Sequence, residues 1–165
     1  RCLSDWSSDV CSSDLSPTLV DLARQRHEQE RQTNPSLNAQ GGRIEFLSGD
    51  MLSPEHGWFD HVVCMDSLIH YDTPDIARAF ETLAQRTRHS VLFTFAPHTP
   101  LLATAHALGR WFPRSDRSPQ LSPVRQSALH QHIAQAVQGQ GWQPQRMQRI
   151  ASGFYTSQAW EWVKP

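Results

Sequence analysis

The 37 residues from Phe59 to Phe95 limit the fold more than any other part of the chain. FDHVVCMD (Phe59 to Asp66) is a short apolar run, and its centre reads as a buried parallel strand. Thr73-Pro74-Asp75 then starts a helix. Ile76, Ala79, Phe80, Leu83 and Ala84 follow at the i, i+3, i+4, i+7, i+8 spacing of a helix laid on a sheet. His89 to Phe95 is a second apolar strand, stopped by Pro97. A strand, a helix and a strand in that order require a crossover between parallel neighbours, which points to an α/β domain.

The flanking residues extend the alternation. Ser16-Pro17 supplies a capping hydroxyl and a first-turn proline for a helix running to about Gln32. RIEFL (Arg43 to Leu47) is a short strand closed by Ser48-Gly49-Asp50. A helical stretch is expected from about Pro100 to Phe112, then a Pro- and Ser-rich loop to Pro123. A further helix from about Val124 to Gln140 carries Leu129, Ile133 and Val137 on one face and ends at Gly139 and Gly141. Segments 145–152 and 156–163 read as a closing antiparallel pair. The expectation is a Rossmann-like three-layer α/β sandwich with a mostly parallel sheet and a C-terminal antiparallel hairpin.

Composition removes several classes. At 165 residues the chain is the size of one domain, and no apolar run reaches the roughly 20 residues of a spanning helix. A formal net charge of -1 does not suit a polycationic nucleic-acid binder. The three cysteines, Cys2, Cys11 and Cys64, form no CxxC pair, which argues against a disulfide framework and against a zinc site. No protein-bound metal is expected.

The first fifteen residues differ from the rest. RCLSDWSSDVCSSDL repeats Ser-Ser-Asp, shows no helical or strand period and has little to place in a core. It resembles a translated sequencing adapter. Residues 1–15 therefore read as a non-native leader, and 16–165 as a partial domain.

In a doubly wound sheet, ligands sit beyond the carboxyl ends of the strands. Asp50 ends one strand, Asp66 to Tyr71 follow the next, and Ala96 to Thr99 follow a third. SPTLVDLA, FLSGDM, FDHVVCMDSLIHY and the Gly-Phe-Tyr hairpin together resemble class I S-adenosylmethionine-dependent methyltransferases. More narrowly, MDSLIHY, HSVLFTFAPHTPLL, FPRSDRSP and ASGFYTSQA are similar to the magnesium-protoporphyrin IX O-methyltransferases of bacteriochlorophyll synthesis.

The resemblance implies methyl transfer from S-adenosylmethionine to a propionate carboxylate of magnesium protoporphyrin IX. It implies that Asp50 accepts from the adenine amine, with Met51 beside the ring. Asp14 would stand at the position of the ribose-binding acid. Asp66 and Ser67 would floor the cleft, His70 would position the acceptor, and Tyr71 would stack or hydrogen-bond there. Arg110, Trp111, Arg114 and Arg117, with Phe112 and Arg125, read as part of a porphyrin lid, since Arg suits carboxylate and aromatics suit a ring face. His130 and His132, two apart on a helix, read as surface.

One departure stands against this. All eight glycines fall at or after Gly41, so the Gly-rich donor loop of that class is absent. The chain reads as lacking the first strand and that loop, and weak or absent donor binding is expected. Two alternatives stay open: a non-catalytic tetrapyrrole-binding domain, and a methyltransferase of the same fold for another small acceptor. The resemblance further implies a protein either cytoplasmic or peripheral to the photosynthetic membrane, one that receives substrate from the large magnesium chelatase subunit.

Overall fold

The structure, a computed structural model, describes residues 10–14, 16–34, 43–98, 122–152 and 155–165. The chain divides into two compact units, Arg1–His56 and Gly57–Pro165.

In the first unit, β1 (Val10–Asp14) and β2 (Ile44–Ser48) pair in parallel, with Val10 opposite Ile44 and Asp14 opposite Ser48. The Ser-rich β1 shows no period in sequence, but a parallel ladder is made by backbone groups and needs no side-chain alternation. Between the two strands runs α1 (Pro17–Thr33). As expected, Ser16 caps it: the Ser16 hydroxyl accepts from the Leu19 N–H, and Pro17 occupies the first turn. Val20 is its buried residue, and Arg24 reaches across to donate to the Phe46 carbonyl at 3.1 Å.

The second unit is a four-stranded sheet in the order β3-β4-β6-β5. Its strands are β3 (Phe59–Cys64), β4 (Thr87–Phe95), β5 (Gln143–Ser152) and β6 (Tyr155–Val163). β3 and β4 are parallel, while β6 runs antiparallel to both β4 and β5. The expected βαβ unit and closing hairpin are thus both present, and the described elements form the expected α/β arrangement.

Helices α2 (Thr73–Ala84) and α3 (Gln126–Ala136) pack on one face of this sheet. Every residue of the expected α2 stripe is buried, with Phe80 fully so. Its ring meets Phe93 of β4, Trp162 of β6 and Trp142 at centroid distances of 5.5–5.8 Å in edge-to-face geometry. Leu129, Ile133 and Val137 are buried along α3 as their spacing predicted. Gly139 and Gly141 follow at φ of 78° and 83°, a conformation that costs glycine little and stops the helix.

One expectation needs correction. β3 is parallel but not buried on both faces: Val63 is 63% exposed. Among the described residues β3 has a neighbour on one side alone, so its apolar content is not matched by burial. The helix expected over 100–112 and most of the loop after it lie outside the described residues. No described helix is long and apolar enough to cross a membrane.

Candidate functional site

The carboxyl ends of the parallel strands carry the residues expected to do chemistry. At the end of β2, Gly49 takes φ 144°, a conformation that favours glycine, and turns the chain out of the strand. Asp50 follows as the head of a tight Asx turn: its Oδ1 accepts the Leu52 N–H at 2.9 Å, and its carbonyl accepts the Ser53 N–H at 3.0 Å. The Asp50 carbonyl also lies 2.9 Å from His56 Nε2, so that ring nitrogen carries the proton. This fixes an exposed carboxylate just beyond the strand, next to the half-buried Met51. Asp14 occupies the last position of β1, a strand end as expected; its side chain lies outside the described part.

The end of β3 is built with more restraint. Asp66 has φ 54°, the sole positive value at a non-glycine residue among the described residues. Asp is one of the few residue types that visit this region without a large penalty. Thr94, buried on the neighbouring β4, holds it there from both sides. The Thr94 hydroxyl oxygen accepts the Asp66 N–H at 2.7 Å, and the hydroxyl donates to Asp66 Oδ1 at 3.1 Å. The left-handed residue swings the chain off the sheet, and the following loop is pinned again by Leu68, which is fully buried. The Tyr71 N–H donates to the Leu68 carbonyl at 3.1 Å and closes a turn. Asp72 then caps α2 by accepting the Asp75 N–H.

His70 projects from this loop as an exposed side chain, with Tyr71 half-buried beside it. The loop backbone is held from the far side by Ser122: its N–H donates to the Ile69 carbonyl at 3.1 Å, and its hydroxyl to the His70 carbonyl at 3.2 Å. Ser122 is in turn part of a strap laced to the end of β4. Val124 donates to the Ala96 carbonyl at 2.8 Å and accepts from the His98 N–H at 2.9 Å, with Pro97 bridged to Val124. The ends of β3 and β4 and the 122–125 strap therefore form one hydrogen-bonded assembly.

Behind this loop Cys64 ends β3 as a buried free thiol. Burial pushes its pKa up to about 11, against smaller opposing effects from the Arg86 guanidinium and a hydrogen bond with Ser67. The thiol is thus protonated and inert near neutral pH, and Ser67 is tied down by it. Among the described residues no group of three His, Cys, Asp or Glu could hold a metal ion.

The structure brings Asp66, Ser67, His70 and Tyr71 together on one restrained loop, and places Asp50 and Met51 on the turn after β2. Arg110, Trp111, Arg114 and Arg117 lie outside the described residues. Sequence reasoning missed Thr94 and Ser122, because nothing in a run of residues shows a hydroxyl reaching a neighbouring strand. An Asp directly after an apolar strand, where a turn needs a positive φ, is the one signal that could have pointed to the first of them.

Comparison with known proteins gives the family and the fold. The family described as magnesium-protoporphyrin IX methyltransferase C-terminus matches residues 64–164, and a general methyltransferase domain matches residues 1–90. A magnesium-protoporphyrin O-methyltransferase from Rhodobacter capsulatus is 39% identical over 155 residues, which is 94% of this chain and 62% of that protein. Its counterpart from Synechocystis is 27% identical over 159 residues, with the same 94% and 62% coverage. The chain thus spans about 62% of the length of the curated relatives it matches. The crystal structure of magnesium protoporphyrin IX methyltransferase from Synechocystis with bound SAH shares the fold, with a TM-score of 0.74 at 24% identity. That likeness covers 94% of this chain and 64% of that one.

Proposed function

The chain belongs to the magnesium-protoporphyrin IX methyltransferase family, and we propose that it serves transfer of a methyl group from S-adenosylmethionine to a propionate carboxylate of magnesium protoporphyrin IX. The product would be the monomethyl ester of (bacterio)chlorophyll synthesis. The observation that carries the reading is the family match over residues 64–164, which takes in the His70 loop, the 122–125 strap and the closing hairpin.

The chemistry asks little acid–base work of the protein. A carboxylate has a pKa of about 4 and is ionised near neutral pH, so it is a nucleophile without a general base. What the chain must supply is alignment and exclusion of water. His70 and Tyr71 are cast as positioning groups for the acceptor carboxylate, and the restraints on their loop suit that task. S-adenosylmethionine supplies an electrophilic methyl carbon beside a sulfonium. The residues present fit it by the chemistry of their donor set: Asp50 offers a carboxylate to an exocyclic amine, Met51 an apolar flank, and Asp14 an acid for ribose hydroxyls. Asp66 and Ser67 would form the floor between donor and acceptor. Arg110, Trp111, Arg114 and Arg117 would contribute guanidinium and aromatic groups to porphyrin binding. The same reading makes the protein either cytoplasmic or peripheral to the photosynthetic membrane, taking substrate from the large magnesium chelatase subunit.

The test is chromatographic detection of the monomethyl ester after incubation with S-adenosylmethionine and magnesium protoporphyrin IX. Slow ester formation is expected at a large excess of S-adenosylmethionine, with a turnover reduced at least about tenfold further in His70→Ala, the scale of one lost positioning contact. Porphyrin bound at saturation without any ester formed would sink the transferase reading and leave the non-catalytic tetrapyrrole domain in its place.

A further inference from the structure

A cavity of about 590 Å³ opens beside the head of α3, lined by His98, Arg125, Gln126, Ser127, His130 and Trp160 among others. Among the described residues no acidic side chain lines it. We propose that this cavity holds the second carboxylate of the acceptor, the one that does not react. The proposal rests on the acceptor named above.

Three observations converge on it. The first is the charge of the lining. Arg125 is an exposed lining residue whose guanidinium no described carboxylate neutralises, and the exposed His98 stands among the same lining residues. A guanidinium fork suits a carboxylate, and the imidazole and the Gln126 and Ser127 side chains add further hydrogen-bonding groups.

The second is shape. The His130 ring lies nearly parallel to Trp160, with an interplanar angle of 22° and centroids 5.8 Å apart. Trp160 is buried, so the stack makes a firm flat wall against which the edge of a planar apolar ring can lie. A solvated basic loop would have no such wall.

The third is position. The strap that carries Arg125 is the one that ties down the His70 loop through Ser122, and His98 is bonded to that strap through Val124. Arg125 is three residues beyond Ser122, which limits their separation to about 10 Å of extended chain. An acceptor with two carboxylate arms on one edge can place one arm at the His70 loop and the other at Arg125. Holding the spare arm fixes which oxygen meets the methyl carbon, since a flat ring without a second anchor can pivot.

The test compares binding of magnesium protoporphyrin IX monomethyl ester and dimethyl ester, followed by quenching of the protein's tryptophan fluorescence. The monoester retains one free carboxylate and the diester none. The wild type is expected to bind the monoester about tenfold more tightly, the scale of one charge-assisted hydrogen bond. Arg125→Gln is expected to remove that ratio by weakening the monoester while leaving the diester unchanged, and Arg125→Lys to restore part of it. His98→Gln, another lining residue, is the second variant and should reduce the ratio in the same sense. A wild-type ratio retained in both Arg125→Gln and His98→Gln overturns the cavity assignment while leaving ester formation, and the proposed function, standing. A wild type that binds neither porphyrin overturns both.

Discussion

The left-handed Asp66 gives a quantitative handle on how the site loop is held. Asp66→Ala removes the carboxylate that accepts from Thr94, a hydrogen bond to a charged group worth about 1.5 kcal/mol at the low end. It also puts a Cβ without a compensating side chain at φ 54°, which costs about 1 kcal/mol relative to glycine. Because Asp66 already bears part of that backbone cost, the loss expected for Asp66→Ala lies between about 1.5 and 2.5 kcal/mol. Asp66→Gly loses the same hydrogen bond but relieves the backbone, so it should lie about 1 kcal/mol above the alanine variant. Thr94→Val keeps the shape of the buried side chain and deprives the Asp66 N–H of its partner, costing about 1–3 kcal/mol. In the double variant Thr94→Val/Asp66→Ala the losses should fall short of additive, because both break the same pair. For a chain of this size each kcal/mol moves the melting midpoint by about 2–4 °C, within reach of thermal melts followed by circular dichroism. Equal midpoints for the alanine and glycine variants, or strict additivity with Thr94→Val, would refute the reasoning.

Four further outcomes follow from the packing and the helix cap. With its pKa at about 11, Cys64 should resist alkylation by iodoacetamide at pH 8 in the native protein and react once urea exposes it. Because the folded thiol holds its proton to higher pH than the unfolded one, its contribution to stability is complete below about pH 9 and is lost as pH rises toward 11, so denaturant midpoints should fall across that range. Phe80→Ala removes the ring shared by Phe93, Trp142 and Trp162 and should cost about 3–5 kcal/mol, read as loss of near-ultraviolet aromatic signal at a lower midpoint. Ser16→Ala should cost about 1 kcal/mol and speed amide exchange at Leu19 and Val20, with no effect on the exchange of β4.

Legibility from sequence followed the physics of each element. α2 was readable because five apolar residues at helical spacing admit one buried face, and all five are buried. α1 was readable from Ser16-Pro17, where cap and first-turn proline state the start chemically. β3 was read correctly as parallel and wrongly as buried, since an apolar run reports what a strand can cover and says nothing of whether a neighbour lies on each side. β1 was invisible, because backbone pairing alone makes it a strand. The site was legible to the level of strand ends: Asp50 and the Asp66–Tyr71 loop stand beyond β2 and β3. The restraints that give the loop its geometry come from Thr94 and Ser122, which are 28 and 52 residues from their partners and leave no local trace. The His130–Trp160 stack was hidden for the same reason, with thirty residues between two rings that share a wall.

The strand order of the second unit has a consequence for biosynthesis. β6 lies inside the sheet, between β4 and β5, although the ribosome makes it after both. Val163 must come to rest opposite Ser90, which left the ribosome roughly seventy residues earlier. At the usual pace of elongation that is about 4 to 15 s during which β4 is available without its permanent neighbour. Throughout that interval Phe80 and Phe93 lack the indole of Trp162, and the nascent unit presents an apolar face beside an unpaired strand edge. A chaperone that shields aromatic surface during translation is therefore expected to raise the yield of this protein more than one that acts after release.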